Sequence, residues 1–258
     1  MREGKAQAFM RTFVRCWLGG ACFNTRGMQN IGMTYAMMPG LRAIHPDPAA
    51  YRRALRRYVR HHQSHPFWLP CLAGIYLHLE QNIHDGRFPE KMFHKVRDTT
   101  SYTLSALGDS VFAGSLLVFW ALATTAMLLA GLQVAPFVLG LLLFAGLQGF
   151  RALTFLAGLR NGLQFLERLR RWDLINWGAR LKYANAGLLV VIWAQIWPQP
   201  MVWWQWVLGV SALTLFGRFV NTGLISRVFA AAAFLLMTEL LPEIGLTAQT
   251  IMSVVPGM

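Results

Sequence analysis

The apolar positions of this chain fall into two regimes. Up to residue 102 they come in short, interrupted patches; beyond it they run to membrane length. The first patch (Phe9, Met10, Phe13, Val14, Trp17, Leu18) has helical spacing but is cut by Arg11 and Arg15, which breaks a secretory signal core. It predicts an amphipathic helix lying on a membrane surface. Two further patches, Ile31–Gly40 and Phe67–Leu79, are too short to cross a bilayer and contain Gly and Pro, so they predict re-entrant or interfacial hairpins. Between them Asp47-Pro48 predicts a helix start, with Asp as cap and Pro at the first position. This helix places Tyr51, Leu55, Tyr58, Val59 and His62 on one face. Arg52, Arg53, Arg56, Arg57 and Arg60 fall mostly on the other, where their heads can reach lipid phosphates. Pro66 disfavours helical geometry at His65 and ends it.

The long runs follow. Val111–Leu132 carries no charge and is long enough to cross. Gln133–Pro136 turns, Phe137–Phe150 returns and continues to Leu159, and Ala184–Trp197 leaves again. A turn at Trp197–Pro200, a returning run Val202–Gly217 and a last run Val228–Leu241 complete about five crossings with the N-terminus inside. Trp193, Trp197, Trp203, Trp204 and Trp206 gather around one turn like an interfacial aromatic belt. The expected architecture is an all-α integral membrane protein in two regions: residues 1–102, basic amphipathic helices and short re-entrant hairpins, and residues 103–258, transmembrane helices.

Composition agrees. The 258 residues are 55% hydrophobic and only 14% charged, against roughly 25% in soluble domains. The net charge of +13 raises nucleic acid as a partner, but its distribution argues against it. Residues 1–102 hold 15 Lys/Arg against 6 Asp/Glu, and residues 103–258 hold 9 against 5, clustered between the apolar runs. Basic segments between spans follow the positive-inside rule, and anionic lipid is the natural counter-charge. Cys16, Cys22 and Cys71 form no CxxC and suggest neither a disulfide framework nor structural zinc.

Asp109 is the most informative single residue. It stands at the mouth of an apolar run, flanked by the small residues Gly108, Ser110, Gly114 and Ser115, where another backbone or a ligand can come close. A carboxylate so placed either serves a site or caps the following helix, and local sequence leaves both readings open. Gln29 and Asn30 are adjacent amides at the entry to the first short apolar segment. They suit a neutral polyol, or equally the local backbone at a helix start. His61 and His65 have i, i+4 ligand spacing, with His62, His78, His84 and His94 in the chain around them. However, Pro66 breaks the helix and no His-Glu-x-x-His is present. Gly158 and Gly162 make a small-xxx-small pair, read as helix contact or as chance. No phosphate-cradling GxxxxGK[ST] and no GxSxG elbow occurs, and the chain calls for no cofactor.

Four blocks in order carry a family resemblance: Asn24–Pro39, Pro48–Arg60, Ser64-His65-Pro66-Phe67 and Gly108-Asp109-Ser110-Val111-Phe112. The chain resembles the IID subunit of the mannose/fructose/sorbose family of the bacterial phosphotransferase system. Departures fall at Thr25-Arg26 and in Tyr102–Leu107, where the family has an aromatic–acid pair and a Pro- and Gly-rich stretch. The resemblance implies a cytoplasmic-membrane subunit that forms, with a IIC subunit, the unit translocating a hexose-type sugar, assembled as an oligomer of IIC–IID pairs. Cytoplasmic IIA and IIB partners would carry the phosphoryl group, so this chain would not itself be an enzyme. Gln29, Asn30, Asp109 and Ser110 are the motif positions it implies for contact with sugar or IIC. Two rivals stand beside it: a partner-docking membrane subunit without transport, and a membrane-embedded metal enzyme using the histidines.

Overall fold

The computed structural model describes residues 4–196 and 203–220, with the single positions 223 and 228. All regular elements among them are helical. They fall into two compact units, one ending at Ile196 and one following it; of the second, one helix, Trp203–Val220, is described. The expected turn at Trp197–Pro200 and the last run Val228–Leu241 lie outside the described residues, save Val228 itself.

The first unit opens with α1 (Lys5–Arg15). Its apolar stripe is divided: Phe9 and Phe13 pack inward, Phe13 against Phe155 at 5.3 Å, while Met10 and Val14 remain exposed. α2 (Asn30–Ile44) and α4 (Leu69–His84) are the two short apolar segments. Each is one uninterrupted helix rather than a hairpin that turns back on itself. Pro39 inside α2 is accommodated without a break, and Pro70 sits in the first turn of α4, where its missing N–H costs nothing. α4 is the core of the unit, with Leu69 to Leu77 all buried.

α3 (Pro48–Arg56) starts as expected, the Asp47 carboxylate accepting the Ala50 N–H at 2.8 Å. It ends at Arg56, earlier than the basic pattern suggested, and Arg57 is not on a lipid face. Arg57 turns inward to Glu80, which is fully buried; its Nε donates to Glu80 Oε1 at 3.0 Å and a terminal nitrogen bonds Oε2. His45 Nε2 lies 3.0 Å from the same carboxylate and the Tyr58 hydroxyl donates to it at 3.0 Å. Burial raises the pKa of Glu80, but these hydrogen bonds outweigh it and leave the carboxyl below its ordinary value.

A helix the apolar pattern did not disclose comes next. α5 (Phe93–Gly108) runs through a π-helical stretch, Asp109–Leu117, into α6 (Val118–Leu129). The composition boundary at 102/103 falls inside this continuous rod. α7 (Val134–Asn161) returns after a turn in which Gly131 takes φ +78. Among the described residues, Glu90–Leu129 and Val134–Asn161 are the helices long and apolar enough to cross a membrane. α8 (Gln164–Arg170), α9 (Leu174–Ile196) and α10 (Trp203–Val220) follow. The structure therefore supports two of the five expected crossings by length and apolarity.

Two contacts fix the relation of these rods. α4 and α7 touch backbone to backbone: a Cβ on Gly74 would lie 2.3 Å from Phe155 O, and one on Gly158 would lie 2.8 Å from Cys71 O. The pair Gly158–Gly162 is thus a true contact surface, with Gly162 at φ +53 against the His78 ring. On α9, Asn185 Nδ2 donates to Ser115 O at 3.1 Å and Gln195 Nε2 to Ala126 O at 3.1 Å. Residue numbers rise together on both partners, so α9 runs parallel to the α5–α6 rod, with α7 antiparallel between them in sequence.

Candidate functional site

Three of the sequence motifs converge on the turn between α3 and α4. The loop before α2 is organised by Asn24, whose Oδ1 accepts the Gly27 N–H at 2.8 Å and whose Nδ2 donates to Asn30 Oδ1 at 2.9 Å. Met28 is held in a left-handed conformation (φ 56) by reciprocal backbone bonds with Asn24. Gln29 and Asn30 then clamp this loop to the turn. Gln29 N–H donates to His62 O at 2.8 Å, its side-chain carbonyl accepts the Ser64 N–H at 3.1 Å, and Asn30 Nδ2 donates to Val59 O at 2.6 Å. Asn30 Oδ1 also accepts its neighbour's N–H, from Ile31, at 2.8 Å. The backbone-satisfying reading of the two amides is therefore the one their geometry fulfils.

The same turn is pinned to α5 from the other side. Arg97 donates to Arg57 O at 2.5 Å and to His61 O at 3.0 Å, and the Ser101 hydroxyl bonds Gln63 O. His62 is shut in between; burial, and secondarily the Arg97 charge, push its pKa down to about 3, so it is a neutral core imidazole. The histidines are dispersed rather than pooled: His61 lies 3.3 Å from the Tyr102 hydroxyl, His78 3.0 Å from Leu159 O, and His84 packs on His45. Among the described residues no three His, Cys, Asp or Glu side chains gather as a metal site.

At the end of α5 the turn meets the Gly-Asp-Ser motif. A Cβ on Gly108 would fall 2.4 Å from His65 Cβ and 2.8 Å from Trp68 Cδ1, so only glycine lets the rod lie against the His65-Pro66 turn. Gly108 (φ −64, ψ −44) and Asp109 (φ −60, ψ −42) are both helical, and the helix upstream is unbroken. Asp109 has no free helix end to cap, and the capping reading is set aside. Asp109 and Ser110 are exposed, and Asp109 lies close enough to His65 for its charge to act on that ring. Partial burial lowers the His65 pKa, and the Asp109 carboxylate works against that shift. The His65 ring stacks on Phe112 at 5.2 Å. The Asp109 carboxylate thus stands near an imidazole that edges an apolar wall, and both groups can bind hydroxyls.

From Asp109 to Leu117 the backbone widens to π-helix, a form concentrated at functional sites. The Ser115 hydroxyl takes up Ser110 O at 2.9 Å, and Asn185 caps Ser115 O from α9. Asn185 is not among the motif positions, although an amide within the apolar run Ala184–Trp197, like Gln195 near its end, is a detectable signal.

Comparison with known proteins identifies the family and the fold. The family model of the PTS system mannose/fructose/sorbose family IID component matches residues 5–209. The mannose-specific EIID components of Escherichia coli K12 and O157:H7 are each 28% identical over 135 residues, 51% of this chain and 46% of theirs. The chain spans about half the length of these curated relatives. Two solved structures share the fold at 22% identity. One, described as a membrane protein, has TM-score 0.63 and covers 71% of this chain and 69% of its own. The other, the mannose transporter ManYZ in complex with microcin E492, has TM-score 0.50 and covers 74% and 71%. With four motif blocks folded against one another and a family match over most of its length, the chain belongs to the IID components of the mannose/fructose/sorbose phosphotransferase systems.

Proposed function

We propose that this chain is the IID-type subunit of a phosphoenolpyruvate-dependent sugar phosphotransferase system in a bacterial cytoplasmic membrane. With a IIC subunit it forms the path of a hexose-type sugar, in an oligomer of such pairs. Phosphoryl transfer takes place on cytoplasmic IIA and IIB partners, and this chain is not a catalyst. The observation that carries the reading is the exposed Asp109–Ser110 pair, with Asp109 near His65, held on a π-helical segment at the start of an apolar rod. The parallel course of α9 and the α5–α6 rod supports a multi-pass topology with the N-terminus cytoplasmic. It puts the basic segment Arg160–Lys182 at the same end as the basic N-terminal region, where the positive-inside rule and anionic lipids would hold both.

Of the four motif residues, Gln29 and Asn30 act as clamps, and Asp109 and Ser110 are the pair free to meet sugar or IIC. That division keeps a second reading in view, a subunit that docks IIC without touching sugar. Asp109→Asn separates them. The substitution keeps shape and removes charge, and a charge-assisted hydrogen bond contributes roughly 1.5–3 kcal/mol. Sugar uptake with the cognate IIC should fall by at least about tenfold while IIC still co-purifies. Lost co-purification supports docking; normal uptake and normal assembly would remove Asp109 from the site.

A further inference from the structure

α7 carries a buried charge, Arg151, that the proposed sugar path does not use. Val134–Phe150 is uncharged, and its residues are exposed or half-buried along the rod; Arg151 is the first charge after it. Seventeen residues of helix rise about 25 Å, close to the roughly 30 Å hydrocarbon thickness, so Arg151 stands at the headgroup boundary. Beyond it α7 enters the packed N-terminal unit.

Arg151 is 6% exposed. Its guanidinium lies 4.3 Å from the centroid of the Trp17 ring, and its buried Nε has no hydrogen-bond partner. No carboxylate among the described residues pairs with it. The neighbouring Cys16 thiol is kept neutral by burial, its pKa pushed up to about 12, and supplies no counter-charge. A guanidinium set this way in a membrane helix calls for an anion from outside the chain.

The helix below Arg151 says which kind. Gly140, Leu143, Phe144 and Leu147 lie on the same face of α7 as Arg151, at intervals of three and four. They form one wall of an apolar cavity of about 290 Å³ whose other wall includes Phe112 and Trp120. Trp17, half-exposed in the turn after α1, packs on Phe144 at 6.4 Å and joins the head of this groove to Arg151. A cation at headgroup level over an apolar groove at acyl-chain level matches one molecule in two places.

We propose that Arg151, roofed by Trp17, binds the phosphate of a membrane phospholipid, one acyl chain of which lies in the groove between α7 and the Asp109–Leu129 segment. The guanidinium offers paired N–H donors to phosphate oxygens, and the overall excess of basic residues favours an anionic lipid. A soluble phosphate could satisfy the same donors, but it would leave the groove unfilled.

The test uses the full chain purified in detergent and titrated with dioleoyl phosphatidylglycerol, with bound lipid counted by native mass spectrometry. Wild type should retain one lipid that Arg151→Gln binds at least about tenfold more weakly. Gly140→Leu should displace it as well, because the new side chain enters the groove about 16 Å from Arg151 and leaves the cation intact. If Arg151→Gln does not fold, as judged by its thermal transition, Gly140→Leu decides alone. Inorganic phosphate and glucose 6-phosphate at millimolar concentration should not compete. Equal lipid retention in the folded variants overturns the proposal. So does competition by either soluble phosphate. Loss of the co-purifying membrane partner from Arg151→Gln with lipid retained also overturns it, since the cation would then pair with a partner carboxylate.

Discussion

At the scale of single residues, two buried groups decide how the N-terminal unit responds to change. Glu80 has no exposed surface and is the shared acceptor for Arg57, His45 and Tyr58. Glu80→Gln leaves the buried Arg57 with the half-exposed Glu90 as its remaining acid partner. Removing one member of a buried pair typically costs 3–5 kcal/mol; with Glu90 in place the expected loss is about 3 kcal/mol, read as a lower thermal midpoint in detergent. His62 acts through protons. It is neutral in the fold with a pKa of about 3, whereas an unfolded histidine titrates near 6.5. As pH falls below about 6.5 the unfolded chain takes up a proton that the native chain refuses. Stability is therefore lost progressively from about pH 6.5 down to about pH 3, at up to about 1.4 kcal/mol per unit. Glu80 contributes in a separate window, because its depressed pKa costs stability only below its ordinary value of 4.5. Between pH 6.5 and 4.5 the unfolding free energy of His62→Gln should fall less steeply than that of the wild type. It should not become flat, since His65 and His94 are shifted in the same direction. Identical slopes would mean that His62 is protonated in the fold.

At the scale of elements, the α4–α7 crossing is the seam that ties the N-terminal unit to a membrane-length helix. Gly74→Ala puts a methyl group 2.3 Å from Phe155 O, against backbone that has no rotamer to change. Overpacking of this kind costs about 1–3 kcal/mol, and the thermal midpoint should drop accordingly. Gly149→Ala, on the same helix α7 with nothing within 4 Å, should be neutral or slightly stabilising. Equal effects at the two positions would contradict the seam. The legibility of these elements from sequence follows from the range of the interactions that make them. The α3 start was readable because Asp47 and Pro48 act on their own next turn. Its end was not, because Arg57 is drawn inward by Glu80, 23 residues away. α5 left no apolar signal because much of its buried face is polar: Arg97, Thr100, Ser101 and Ser105 sit beside Phe93 and Leu104. That hidden helix is why Asp109 looked like a cap. The clamp role of Gln29 and Asn30 was one of two readings open at the residues themselves. The choice between them depended on Val59, His62 and Ser64, about thirty residues on.

At the scale of the molecule, the chain joins two jobs. A packed unit of α1 to α4, with the ends of α5 and α7, positions the His65-Pro66 turn. The apolar rods leaving it carry Asp109 and Ser110 into a π-helical stretch that a second helix, α9, braces through Asn185. Family membership and fold agree on a membrane component of a phosphotransferase system, and the exposed polar pair at the base of a rod is the contact with sugar or a IIC partner that we propose. The central claim is that the IIC partner passes sugar only with this chain present. The direct measurement is uptake of labelled hexoses by cells that express the cognate IIC, IIA and IIB subunits, with and without this chain at matched membrane levels of IIC. The account predicts uptake and intracellular sugar phosphate only when the chain is present. Unchanged uptake in its absence would contradict it.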